Sequence, residues 1–481
     1  MFRHLLFAAS MLALCAPAAA APARDAAPSG LKLEPYMFKL ANGSQLAAER
    51  GTFSVPEDRA DPRSRRIDIG FIRFKSTNPN PGAPIVYLAG GPGGSAIGAA
   101  SSARQPIFLA LRAVGDVIAL EQRGVGPSNH IPECTAERRL DPSQSLTEAT
   151  LTAYYRQTLA RCVQQWRQAG VAVHGYTTEQ SADDIEALRR ALSARKLDLW
   201  GISYGTHLAM ATMRRHPKSI GRVALASAEG MNQTASLPGQ VDPVFTRMEQ
   251  AAGMPAGQLT GLMRRVHARF DAAPQSFTLK GPDGAAMRFR ADSFPLRMMA
   301  GIVPKNPDGI AQLAGAYGAL DAGQNDAIAP LIYGYFYAKP LKMAGMPQLM
   351  DIASGATSAR VALLARQAPS SISGTASNFP MPQLRNALPG HDLGDAFRRE
   401  VRSSIPVLLL SGDLDVRTTL EEQAEATAGL TNKIQIVVRN GGHDLFEAHP
   451  DVPKLLVAFF SGRPVTVREL KLPPPSLGGP S

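Results

Sequence analysis

Leu197-Asp198-Leu199-Trp200-Gly201-Ile202-Ser203-Tyr204-Gly205-Thr206-His207-Leu208-Ala209-Met210-Ala211 is the stretch on which the reading of the whole chain turns. A short apolar run passes through a glycine-flanked serine into a helical pattern. It is therefore predicted as a strand turning directly into a helix, with Ser203 at the corner. On such a turn the backbone is strained, the hydroxyl projects past the sheet edge, and the first N–H groups of the helix lie beside it. Glycine suits positions 201 and 205 because a side chain there would collide with the neighbouring strand or helix as the chain reverses. Ser203 is thus a candidate nucleophile, provided a histidine and a carboxylate can reach it. With 43 glycines in the chain the five-residue pattern does not decide the matter, and three other stretches supply the context.

The first is Gly90-Gly91-Pro92-Gly93-Gly94-Ser95, directly after the apolar run Ile85–Leu88. It lacks the Lys-Ser/Thr ending of a phosphate loop and the spacing of a dinucleotide site. Its remaining use is to bring backbone N–H groups to a reacting carbonyl oxygen, with Gly91 and Tyr204 as the expected oxyanion-hole donors. The second is Ser411-Gly412-Asp413-Leu414-Asp415, where Asp415, further out in the loop, can turn towards an imidazole while Asp413 ties down the turn. The third is Asn440-Gly441-Gly442-His443-Asp444, a histidine on a glycine-flanked loop after the last long strand pattern. The order Ser203, Asp415, His443 is the one expected when a catalytic triad is built on an α/β-hydrolase sheet. His207, one helical turn past the serine, is expected to be packed or solvent-facing.

The surrounding pattern agrees with that fold class. Residues 31–75 read as β-hairpin material. From Pro84 short apolar runs (Ile85–Leu88, Val117–Leu120, Leu197–Leu199, Val223–Ala226) alternate with helical stretches, the signature of a mostly parallel sheet flanked by helices. The rhythm stops after the fourth run and resumes at Val407–Leu410, Ile434–Val438 and a last helix at Val452–Phe460. The expected organisation is an α/β-hydrolase core over 22–234 and 401–470, interrupted by a mainly helical cap over 235–400 and followed by a loose tail at 471–481. Asp183, Asp184 and Glu186, near the start of a helix, suit its dipole.

At 481 residues, 44% hydrophobic and 19% charged, the composition is that of a globular protein. Residues 1–21 read as a secretory signal peptide: Arg3 and His4, an apolar run to Cys15, then small residues. Leu14 before Cys15 does not suit a lipoprotein signal. The expected location is secreted or periplasmic, with no integral membrane segment after cleavage. Cys134 and Cys162 then remain; in an oxidising compartment they are expected to pair, which would stabilise the fold by about 3–4 kcal/mol, buried free thiols being the alternative. The net charge of +11 is spread without aromatic interleaving, so a solvated surface is expected rather than a nucleic-acid groove. No His-x-x-x-His or Cys-x-x-Cys pairing occurs, and neither a metal nor a cofactor is expected.

Taken together, Gly90–Ser95, then Gln122-Arg123-Gly124-Val125-Gly126-Pro127-Ser128, Trp200–Gly205, Gly412-x-x-Asp415 and Gly442-His443 resemble the proline iminopeptidase and tripeptidyl aminopeptidase branch of the α/β-hydrolases. The resemblance implies a secreted serine peptidase that removes residues from peptide N-termini, with the cap restricting access to a small peptide. It also implies a cysteine pair after the Arg-Gly-x-Gly segment, which Cys134 and Cys162 match. The chain departs from the pattern at Ala89, at Glu121, at Ser227-Ala228-Glu229-Gly230 and in the absence of a proline after Asp415. An aminopeptidase must hold an ammonium group. Glu229 at a strand end is the expected partner, with Asp242 and Glu249 behind it and an ion pair with Arg123 as its structural alternative. An esterase acting on a small-molecule acyl ester is the competing function.

Overall fold

A computed structural model describes residues 29–280 and 286–476. Residues 1–21, expected from the sequence to be a signal peptide, lie outside the described residues. Ten strands form one sheet: β1 (Ser29–Lys39), β2 (Gln45–Pro56), β3 (Arg66–Phe74), β4 (Ile85–Leu88), β5 (Val117–Leu120), β6 (Leu197–Ile202), β7 (Ile220–Ala226), β8 (Val407–Gly412), β9 (Lys433–Arg439) and β10 (Glu469–Lys471). Their spatial order is β1-β2-β3-β5-β4-β6-β7-β8-β9-β10. The first three strands and the β3–β5 pair are antiparallel, and every pairing from β5 through β4 to β10 is parallel.

The central strands are uninterrupted apolar runs because helices cover both faces of the sheet. Along β4, Val86 and Leu88 point into one core with Leu199, while Ile85 and Tyr87 point into the other with Trp200. The first core is closed by helices Glu148–Gln168, Thr178–Ala191 and Tyr204–Arg215, through Leu159, Ile185 and Leu208. The second is closed by Gln105–Leu111 and Val452–Phe460, through Phe108 and Phe459. Arg123, fully buried, is held by Asp184 through two hydrogen bonds of 2.7 Å and donates to the carbonyls of Glu57 and Gly175. Asp184 therefore serves a tertiary ion pair beyond any local effect on its helix, and Arg123 is not a partner of Glu229. Cys134 and Cys162 are joined in a disulfide, Cα–Cα 5.6 Å, between a short strand and helix Glu148–Gln168.

Between β7 and β8 the chain makes a long excursion most of whose apolar residues join one of two cores, with a small separate cluster of Ala235, Leu237, Ala356 and Leu364. Residues from Val241 to Tyr337 share a cluster with Leu146 and Leu151, whereas Met343, Met346, Leu349, Met350 and later Met381 and Phe397 pack into the sheet's own core. A continuous helical pattern does not say which core each helix will join. The excursion also contains a hairpin, Gln275–Lys280 with Ala286–Ala291, where helix was the expectation. Its signal was present: Phe277 and Phe289, placed on alternating strand positions, stack at 5.1 Å. At the other end, Lys471 closes β10 and the Leu472 N–H donates to Arg439 O, so the start of the 471–481 segment is bound to the sheet edge.

A tight steric point of the sheet core lies at Gly205. A Cβ there would stand 2.1 Å from Leu88 O, a backbone atom of a central strand. Gly205→Ala is expected to destabilise the protein by at least about 1–3 kcal/mol, the usual range for overpacking, seen as a lower urea midpoint; an unchanged midpoint would refute this account of the crossing.

Candidate active site

Five strands, β4, β6, β7, β8 and β9, each deliver one sequence-predicted residue at the C-terminal end: Gly91, Ser203, Glu229, Asp415 and His443 respectively. Loops at this edge of a parallel sheet converge on one crevice. Ser203 has φ 53° and ψ −128°, a conformation rarely tolerated outside glycine and one that costs roughly 1–3 kcal/mol. It is held by its N–H on Ala226 O at 3.1 Å and by the glycines around it: a Cβ on Gly201 would lie 2.7 Å from Gly205 O.

The glycine loop packs directly on the serine, since a Cβ on Gly90 would stand 3.0 Å from Ser203 Cβ. Gly91 has φ +125°, and Gly94 N–H closes the loop on Gly90 O at 2.9 Å. Glu121 fixes the far end of the loop. Its carboxylate accepts from Ser95 Oγ at 2.5 Å and from the N–H groups of Ala96 and Ile97 at 3.2 and 3.1 Å. The longer glutamate thus caps helix Ala96–Ala100 and anchors the loop at the position where the resemblance leads one to expect aspartate. Tyr204 contributes only its amide, at the first helical position where N–H groups lack an intrahelical acceptor. Its ring is buried, with the hydroxyl against Thr178 at 2.9 Å.

Asp415 is fully buried, and both its oxygens lie 3.0 Å from His443 Nδ1. It also accepts from Arg417 N–H (2.8 Å), Thr418 N–H (3.0 Å) and Thr418 Oγ1 (2.7 Å). Burial alone would raise its pKa; the His443 charge and the bonds from His443 and Thr418 outweigh it and hold the carboxyl below its ordinary value. Thr418 was not foreseen from the sequence, where only the missing proline was visible. Asp413 faces away, 3.7 Å from Arg439. Among the described residues no hydrogen bond joins Ser203 Oγ to His443; such contacts are often long at rest and tighten with substrate.

Ser203, Gly91, Glu229 and Thr418 line a cavity of about 240 Å³, roofed from the excursion by Pro347, Phe379 and Met381. Three carboxyl groups border it: Glu229, Asp351 and Glu422. Burial, and then the nearby Asp351 charge, push Glu229 up to about 8, against the pull of Arg417. Burial raises Asp351 to about 7, again opposed by Arg417. Glu422 rises to about 7 by burial, but it is also the capping-box residue of helix Leu420–Ala426. Neither Glu229 nor Asp351 has a side-chain hydrogen bond to any described residue, whereas Asp242 and Glu249 are committed to backbone N–H groups elsewhere. Asp351 was out of reach of sequence reasoning, because only folding of the excursion brings helix Met346–Ser354 to the serine. His207 is buried behind the site, bonded to Gly230 O and Ser354 Oγ, and burial lowers its pKa to about 4.

Comparison with known proteins agrees with the geometry. A family model described as the alpha/beta hydrolase fold matches residues 83–279, from the strand before the glycine loop past Ser203. The chain is 28% identical over 211 residues to the serine protease Hip1 of Mycobacterium tuberculosis, which is 42% of this chain and 38% of that protein. It is 27% identical over 187 residues to the tripeptidyl aminopeptidase of Streptomyces coelicolor, 37% of this chain and 34% of that protein. The match thus spans well under half of these relatives' own lengths.

The environment of Asp415 makes Thr418 a sensitive position. Thr418→Val removes one donor to a buried charge and is expected to cost about 1.5–3 kcal/mol in denaturant titration; a loss below experimental error would show that solvent or another donor replaces the hydroxyl.

Proposed function

We propose that this chain, with its α/β-hydrolase fold, is a serine aminopeptidase, secreted or periplasmic, that releases residues from the N-termini of small peptides. Two carboxyl groups that accept no side-chain hydrogen bond from the described residues, Glu229 and Asp351, beside the serine in a roofed cavity, carry this reading. A simple ester gives such groups nothing to bind, while a peptide's ammonium group supplies charge and donors to both.

In the reaction Ser203 Oγ attacks the carbonyl carbon and its proton passes to His443 Nε2. Asp415 holds Nδ1–H and stabilises the imidazolium. The oxyanion is received by the N–H groups of Gly91 and Tyr204, each such donor being worth about 10²–10³ in kcat. Collapse breaks the C–N bond, and His443 gives its proton to the departing amine, which is the remainder of the peptide. Water then attacks the acyl-enzyme, His443 again takes the proton, and Ser203 is released. The segment retained as the acyl group carries the N-terminus, so the ammonium lies on the enclosed side with Glu229 and Asp351. The roof from the excursion acts as a cap that admits chain ends and excludes folded polypeptide.

Ser203→Ala is expected to remove turnover of esters and peptides alike, together with labelling by a fluorophosphonate probe, by several orders of magnitude in rate; residual activity near wild type in the purified variant would overturn the triad. Glu229→Gln is expected to raise KM for free-amine peptides about tenfold or more, while leaving a simple acyl ester unchanged. An equal effect on both substrates would favour the esterase reading.

The pH dependence follows from the same group. Glu229, raised to about 8, is mostly protonated at pH 7 and must lose that proton to pair with a cation. The substrate ammonium itself deprotonates near pH ~8. KM for a free-amine peptide should pass through a minimum close to pH 8 and rise on both sides, whereas KM for an ester stays flat. Calorimetry at pH 7 should show up to one proton released on binding, and no buffer dependence of the binding heat would exclude the pairing.

A further inference from the structure

We propose that Lys305, on the turn Val303–Lys305 of the excursion, is a positioning residue for the imidazole of His443. The inference rests on the Ser203–Asp415–His443 reading above. Three elements grip residue 443. Asp415 holds the ring, Ser227 Oγ donates to His443 O at 2.8 Å, and the His443 N–H donates to Lys305 O at 2.8 Å. The first two grips come from sheet ends; the third comes from outside the sheet. The Lys305 side chain closes a second link, its Nζ lying 2.6 Å from Asp444 Oδ2. Asp444 is in turn 3.5 Å from Arg104, which pairs with Glu447 at 3.0 Å.

The fit is close. A Cβ on Gly442 would stand 2.5 Å from Lys305 O and 2.9 Å from Asn306 Cα, so the two segments touch backbone to backbone. The Lys305 side chain is 50% exposed and that of Asp444 25%, so their pair contributes little to global stability. Its effect on the reacting group is another matter, because a misplacement of about 1 Å at a catalytic group can cost about 10²-fold in rate. The geometry thus separates the two consequences: removing the Lys305 ammonium should leave the fold intact and loosen the histidine.

The test compares the full-length wild type with Lys305→Ala, Lys305→Arg and Gly442→Ala, using a simple ester, a free-amine peptide and the rate of fluorophosphonate labelling of Ser203. Lys305→Ala is expected to lower kcat about tenfold on both substrates, with KM unchanged, and to slow labelling by the same factor. Lys305→Arg, which keeps the cation, should recover to within about twofold, and Gly442→Ala, which displaces Lys305 O, should lose at least as much as Lys305→Ala. Wild-type kcat and labelling in both Lys305→Ala and Gly442→Ala would overturn the proposal. So would a loss confined to KM of the free-amine peptide, or unfolding of Lys305→Ala by circular dichroism. A wild type that fails to label would instead refute the underlying triad.

Discussion

The close passage of helix Tyr204–Arg215 over β4 is the constraint on which the site depends. Gly205 approaches Leu88 O so nearly that no side chain fits between them. That approach forces the chain to reverse within a residue of β6, and Ser203 takes up its strained φ of 53° as the result. Because β4 and β6 are paired in parallel, the same passage brings the glycine loop after β4 against the serine. The candidate nucleophile and the expected oxyanion donors are therefore set by a single packing event, and its strain is sustained by the buried cores on either side.

The rest of the site is built by strand adjacency. Parallel neighbours end at one edge, so β6 to β9 deliver serine, glutamate, aspartate and histidine in sequence across the crevice. A glycine at 412 lets the acid loop and the histidine loop meet, since a Cβ there would lie 2.3 Å from Gly442 O. Asp415 is kept ionised in a fully buried position by several donors, the arrangement that a buried charge requires. Glu229 and Asp351 are the opposite case. They are crowded and desolvated, with no side-chain donor among the described residues, a setting that disfavours the charged form unless a cationic group pairs with it.

Much of this was legible before folding. The serine, acid and histidine could be read because each sits in a loop whose glycines serve local sterics, and the order of the loops follows the order of the strands. Between Asp413 and Asp415, position in the loop singled out Asp415, whose carboxylate lies 3.0 Å from His443 Nδ1. Other features were hidden because they depend on contact between distant segments. Thr418 was unremarked, Glu121 registered only as a departure, and His207 left no sign of its buried bonds to Gly230 and Ser354. The strand pair Gln275–Lys280 and Ala286–Ala291 was masked by the helical patterns around it.

What the sequence by itself determined is the α/β rhythm, the nucleophile turn and the chain order of the candidate triad. These rest on short-range rules: apolar runs form buried strands, and glycine is needed where backbones touch. What only the tertiary structure decided is where the excursion between β7 and β8 goes. Its helices divide among separate apolar clusters, its residue Asp351 joins Glu229 at the cavity, and its residue Lys305 reaches the backbone of His443. The physical reason is that apolar packing is non-directional. A helical pattern states that a face will be buried; only the shape and volume left by the rest of the fold state against what.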